Sequence, residues 1–262
     1  MKRKDITKLC LSLTHGLLGT VTDLTLYSFF LTLSSFGKQP TYIGYDQAFN
    51  EASKLLSDFN YQTIYKTLTN LRQKRLVAYS PIDKTLSMTP KGKQYLKRLL
   101  PEYRQNRHWD GRMYLITYDI PERFHRQRTL LRNFIRGLGA GMLQESVFLV
   151  FKNPKSLISS FIEERHLTGM VIVSDLGQDG AVGDEDLSSL IKRIYKLDAI
   201  NRRYGEFLNS VNNKKRWTPL DVSYYFSILK YDPQLPFELL PQDWLGDKAK
   251  SLCEKHWGKL LT

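Results

Sequence analysis

The sequence predicts an α+β chain in three parts: an N-terminal winged helix-turn-helix over residues 1–107, a ferredoxin-like βαββαβ middle domain over 108–180, and a helical C-terminal domain over 181–262. Three observations predict it. An amphipathic helix followed by a short β-prone hairpin closes the first part. Beyond an Arg-rich connector, β-prone and helical segments then alternate, and the remainder is aromatic-rich, helix-patterned and punctuated by prolines.

In the first part, Leu9, Leu13, Leu17, Leu24, Leu26, Tyr27, Phe30 and Leu31 suit buried helical faces, and Ala48, Ala52, Leu55 and Leu56 mark a second helix. Asn60 then stands as N-cap of a third helix running from Tyr61 to about Lys74. Two β-prone runs follow, Leu76 to Ser80 and Thr85 to Thr89. The turn chemistry of Pro81-Ile82-Asp83-Lys84 between them predicts a hairpin. Pro90 suits the first turn of a closing helix that runs to Leu100. Pro101 to Asp110 is the polar connector.

In the middle part, Met113 to Tyr118 reads as a strand and Pro121 to Leu138 as a helix. Met142 to Phe151 reads as one bent strand or two short ones, Pro154 to His166 as a helix and Met170 to Val173 as a strand. Gly177 to Asp184 is an acidic, glycine-rich linker, and Leu187 to Leu208 is helical.

Composition says what such a chain would meet. Thirty-nine Lys and Arg against 26 Asp and Glu give a formal charge of +13, which favours polyanions. A hydrophobic fraction of 42% excludes wholesale disorder. Cys10 and Cys253 are too few for a zinc knuckle or a secreted disulfide framework. Met1-Lys2-Arg3-Lys4 imitates a signal peptide, but Asp5, Lys8, His15 and Asp23 interrupt the apolar run behind it. A cytoplasmic protein with no membrane partner is therefore expected. Serine-hydrolase, phosphate-loop and dinucleotide motifs are absent, the five histidines lack metal-ligand spacing, and no cofactor is expected.

The helix from Tyr61 carries the functional reading. Ile64, Leu68 and Leu71 form one apolar stripe. The other face carries Tyr61, Gln62, Thr63, Lys66, Thr67, Asn70 and Gln73, with no acid. Such a face suits the mixed donor and acceptor code of a major groove in double-stranded DNA. Lys84 stands near the hairpin tip, where a phosphate would lie, and Arg72, Lys74 and Arg75 carry the charge between helix and hairpin.

Phe59 to Ile64, Leu71 to Val77 and Leu86 to Gly92 resemble winged-helix repressors in general. Trp109-Asp110-Gly111-Arg112-Met113 with Tyr118-Asp119-Ile120-Pro121-Glu122, Gly139 to Phe148, and Asp232-Pro233-Gln234-Leu235-Pro236 with Glu238 to Trp244 resemble, in order, blocks of the PaaX-like regulators. The resemblance implies a dimeric repressor of a catabolic operon, released from its DNA operator by an acyl-CoA-type effector. The hairpin departs from the family in lacking an arginine-rich turn. Arg202, Arg203, Lys214 and Arg216, with Lys215, are candidates for the effector's phosphates, set against a plain solvated basic face.

Trp109 to about Gly177 is also similar to the small ferredoxin-like subunit of the CRISPR adaptation machinery, some members of which are metal-dependent nucleases. That resemblance carries Asp119 over as a metal ligand and gives nuclease activity as the alternative function. A helix cap is the competing role for Asp119. With the last strand antiparallel beside the first, Asp119 falls near Gly169, and Asp175 lies roughly 20 Å away along the sheet at ~3.4 Å per residue. Only Asp119 residues from two subunits would share an ion. Arg123, Arg126, Arg128, Arg132 and Arg136 line the helix after Asp119, either to touch phosphates or to solvate it.

Overall fold

The computed structural model describes residues 23, 26–27, 42–44, 61–82, 84–178, 184–212, 214, 217 and 219–261. The expected N-terminal helical faces other than Leu26 and Tyr27, the Ala48 to Leu56 helix and Cys10 lie outside them. The chain divides into two units. One joins Met1–Tyr103 to Ile200–Asp232 and Leu245–Thr262; the other joins Arg104–Ala199 to Pro233–Trp244.

In the first unit, α1 (Tyr61–Gln73) leads into strands β2 (Val77–Ser80) and β3 (Thr85–Met88) and helix α2 (Pro90–Leu99). A short strand, β1 (Tyr42–Gly44), pairs antiparallel with β3 and completes a sheet of order β1-β3-β2. Leu68, Leu71, Leu76, Leu86 and Leu96 are buried to 2% exposure or less, so the aliphatic side of α1 packs inward, as its spacing requires. Asp23 accepts from Tyr95 Oη at 2.8 Å, and Tyr27 shares a 3.0 Å hydroxyl hydrogen bond with Ser223. The same unit holds most of α6 (Leu197–Val211), with α7 (Pro219–Leu229) and α8 (Gly246–Leu261). Phe207 packs among Trp217, Tyr224 and Tyr225, which explains the aromatic wealth of this region as core.

In the second unit, β4 (Met113–Asp119), α3 (His125–Gly137), β5 (Gly141–Gln144), β6 (Val147–Val150), α4 (Lys155–Arg165) and β7 (Met170–Gly177) realise the expected βαββαβ order. The antiparallel sheet runs β5-β6-β4-β7. Alternation places Tyr114, Ile116 and Tyr118 of β4 in one core with Phe148, Val150, Leu131, Ile135 and Ile158. Helix α5 (Leu187–Tyr195) packs on β5.

Several expected boundaries move. A 3-10 turn, Glu122–Phe124, precedes α3, so the helix expected from Pro121 is α-helical only from His125. Strand β7 runs four residues beyond Val173, because Ser174 and Asp175 continue the pairing with β4. The helical stretch expected from Leu187 to Leu208 is two helices, parted where Lys196 takes a left-handed conformation at φ 54°. That residue ends α5 as a C-cap, a role usually given to glycine or asparagine.

Candidate nucleic-acid interface

Helix α1 contains no carboxylate and ends without a glycine. Arg75 takes the left-handed position at φ 58°. The Arg75 N–H then donates to the Arg72 carbonyl and the Leu76 N–H to the Leu71 carbonyl, both at 2.9 Å. This is the Schellman pattern, with Leu71 and Leu76 buried beneath it. The chain therefore leaves α1 at a fixed angle into β2.

Thr89 ties the far end of the hairpin to the same point. Its hydroxyl donates to the Arg75 carbonyl at 2.7 Å and accepts from the Gly92 N–H at 3.0 Å, so one side chain caps α2 and ties it to the turn that follows α1. Replacing Thr89 with Val removes both bonds at nearly constant volume. The expected cost is about 1–2 kcal/mol, read as a shift in urea midpoint with unchanged slope; no shift would show that the cap contributes nothing.

Gln62, Lys66 and Gln73 are exposed and Asn70 is half-exposed, at spacings of four, four and three residues along one side of α1. Tyr61 and Thr63 lie in the first turn of the helix, as expected. Thr67 corrects the sequence reading: it is 7% exposed and belongs to the packed side, adjacent to Leu68 and Leu71. Tyr65 is the residue the reading missed. It is 51% exposed, between Gln62 and Lys66, and the apolar count had no place for an aromatic ring on the polar side.

Arg72 places its guanidinium 4.7 Å from the Tyr79 ring centroid, a cation–π contact that fixes it beside β2. An open cavity of about 510 Å³ lies there, lined by Thr69, Arg72, Gln73, Arg75, Tyr79 and Thr89 among others. At the hairpin turn Ile82 is 90% exposed, and Lys84 is exposed with φ 50°.

Of the residues proposed for an effector, Arg202, Arg203 and Lys214 are described. Arg202 is exposed. Arg203 donates to Ser227 Oγ at 2.9 Å and lies 5.9 Å from the Tyr231 ring centroid. Lys214 pairs at 2.6 Å with Asp221, whose side chain is 4% exposed. Arg216 and Lys215 lie outside the described residues.

Asp119 is exposed at the carboxyl end of β4, opposite Met170, while Asp175 pairs with Tyr114 at the other end of the two strands. Asp119 does not cap the following helix, since neither the 3-10 turn nor α3 has a side-chain cap. Among the described residues no group of three or more His, Cys, Asp or Glu is placed to hold a metal ion. The described residues of one chain thus do not fit a metal at Asp119.

The second unit also gives structural roles to the blocks read in its sequence. Asp110 accepts from the Arg112 N–H at 2.9 Å and from Tyr114 Oη at 3.0 Å, and Arg112 ion-pairs with Asp175. The Gly177 N–H and then Arg112 hold the Asp175 carboxyl below the usual aspartate range. Trp109 donates to the Arg112 carbonyl at 2.9 Å and meets Phe151 edge-on. Arg107 donates to the Leu235 carbonyl at 3.1 Å, and the Arg104 N–H donates to Gln234 at 2.7 Å, which docks the Pro233–Trp244 segment in this unit.

Two family models match the chain in order. Residues 106–186 match the PaaX protein central Cas2-like domain, and residues 195–262 match the PaaX-like protein C-terminal domain. The chain belongs to the PaaX-like family. At family level it is a PaaX-like transcriptional regulator. In structure it is similar to the uncharacterized protein Rv0674 from Mycobacterium tuberculosis, at 16% identity and a TM-score of 0.52 over 90% of this chain and 96% of that one. At that identity the likeness speaks for the fold alone. No curated protein matches. No described helix of this PaaX-like chain is long and apolar enough to cross a membrane.

Proposed function

We propose that this PaaX-like chain is a DNA-binding repressor whose N-terminal winged helix docks α1 in the major groove of a duplex operator. The observation that carries the reading is the acid-free exposed side of α1, backed by buried Leu68 and Leu71 and joined rigidly to a hairpin. Gln62, Asn70 and Gln73 offer paired donors and acceptors to base edges, while Lys66 and Lys84 suit phosphates. Tyr65 and Arg72 extend the same surface.

Two copies would present paired helices to a pseudo-palindromic site, with the ferredoxin-like domain as the dimerisation platform. An acyl-CoA-type effector, held in part by Arg202, Arg203, Lys214 and Arg216, would release the dimer from DNA in the cytoplasm.

Selection of genomic fragments with the purified protein, followed by footprinting, tests this. Lys66→Ala is expected to weaken binding to all sequences and lower the slope of log K against log salt by about 1. Asn70→Ala is expected to relax preference at one base position, a loss of roughly 1–3 kcal/mol in discrimination. If neither variant alters the footprint, α1 is not the reading helix.

A further inference from the structure

Helix α3 carries Arg126, Arg128, Arg132 and Arg136, with Arg123 just before it, and not one carboxylate over His125–Gly137. Arg128, Arg132 and Arg136 recur at every fourth residue, so they stack along one side of the helix in steps of ~6 Å. That step is close to the separation of successive phosphates on one nucleic-acid strand. Their side is fixed by what they face. All three cations lower the Tyr118 hydroxyl's pKa against the burial that raises it, and that hydroxyl donates to the Glu145 carbonyl at 3.0 Å on the β5–β6 turn. Arg136 also reaches Met142 Sδ of β5 at 3.2 Å. The stripe therefore runs beside the β5–β6 hairpin, with Glu145 as the carboxylate that shares its surroundings.

A purely solvated helix face would be built differently. Like charges four residues apart repel, and such faces ordinarily alternate cation with anion at that spacing. Arg126 and Arg128 also sit in the first turn, at the positive end of the helix dipole, where acids are favoured. Among the described residues none of the α3 arginines forms an ion pair. The arrangement is costly to the folded chain alone, and an external anion relieves it. Arginine, with its planar fork and weak hydration, is the side chain suited to phosphate.

We infer that the Arg128–Arg132–Arg136 stripe binds the phosphate backbone of duplex DNA, as a second contact from the middle domain, independent of base sequence. The inference rests on the DNA-binding reading and assigns the phosphate contacts beyond the recognition helix. Such contacts position a protein and raise affinity and salt dependence without specifying bases.

The test compares full-length variants on a mixed-sequence duplex DNA across a salt series. Arg128→Gln, Arg132→Gln and Arg136→Gln together are expected to lower the salt slope by roughly 2.7, about 0.9 per phosphate contact. The corresponding Arg→Lys triple keeps the charge and is expected to keep most of the slope. Lys152→Gln, Lys155→Gln and Arg165→Gln, exposed residues of the same unit, remove equal net charge and are expected to leave the slope within about 1 of the parent. An unchanged slope in the glutamine stripe variant, beside a lowered slope in Lys66→Ala, would overturn this inference and leave the DNA-binding reading intact. An equal loss in the control triple, or in the Arg→Lys triple, would also overturn it. If the parent chain binds no duplex at any salt concentration, the DNA-binding reading falls and this inference falls with it.

Discussion

Gly92→Ala is expected to unfold or displace the α1–hairpin–α2 region, against the usual sign of that substitution. In a helix interior, alanine is ordinarily better than glycine by about 0.5–1 kcal/mol, because glycine loses more chain entropy on folding. At Gly92 the space is missing. A Cβ built there would stand 2.0 Å from the Leu76 carbonyl oxygen and 2.9 Å from its carbon, with Met88 Cγ at 3.1 Å. The oxygen that obstructs it already accepts from the Thr89 N–H at 3.1 Å and cannot retreat without breaking the junction. Overpacking of this kind costs roughly 1–3 kcal/mol, and more when rigid backbone must move. We expect a loss at or above the top of that range, a sizeable share of the ~5–15 kcal/mol that holds a typical domain. Urea unfolding gives the stability, and a salt-titrated binding assay on the surviving folded fraction gives the function. A variant as stable as the parent would show that α2 does not approach the Leu76 carbonyl this closely.

The same junction shows what a sequence reveals about such a region. The helix from Tyr61, the turn at Pro81 and the opening of α2 at Pro90 were legible, because periodicity and local turn chemistry act over a few residues. Strand β1 was not. It is three residues long, and its partner β3 lies some forty residues on, so no local pattern marks the pairing. The break at Lys196 was hidden for another reason. It uses a left-handed conformation on a basic residue, where the expected signal is glycine.

The candidate interface was legible to a similar degree. Lys66, Asn70 and Gln73 fall on the accessible side because exposure follows the aliphatic stripe at helical spacing. Thr67 and Tyr65 exchange places relative to their polarity, since burial depends on angle around the helix and not on residue type. The pairing of Lys214 with buried Asp221 was out of reach, because it requires knowing which helices meet.

The second large effect belongs to the other unit, where one buried hydroxyl fastens α5 to the hairpin that flanks the arginine stripe. Tyr195 Oη accepts from the Gly141 N–H at 3.0 Å and donates to the Leu149 carbonyl at 2.8 Å, with the Gly139 carbonyl at 3.2 Å. Tyr195→Phe keeps the ring and orphans the Gly141 N–H, a loss of roughly 1–3 kcal/mol for a buried donor. Gly141→Ala attacks the same contact from the other side, since its Cβ would lie 2.8 Å from Tyr195 Cζ and 3.1 Å from Ile194 Cδ1. Both changes act on one contact between Gly141 and Tyr195, so their costs are not expected to add.

The pH dependence separates the lost hydroxyl from general loosening. Burial pushes the Tyr195 hydroxyl well above the ordinary tyrosine range, so the folded chain retains a proton that the unfolded chain releases near pH ~10. The contribution is then fully present below about pH 10 and shrinks as pH climbs beyond it. The stability gap between parent and Tyr195→Phe should narrow over that interval. A gap that stays constant to high pH would mean that the hydroxyl is not buried as described. Because Arg136 reaches Met142 on the neighbouring strand, loosening β5 is also expected to lower the salt slope of duplex binding at a pH where the variant remains folded. A parent-like slope in Tyr195→Phe would show that the stripe holds its geometry on α3 alone.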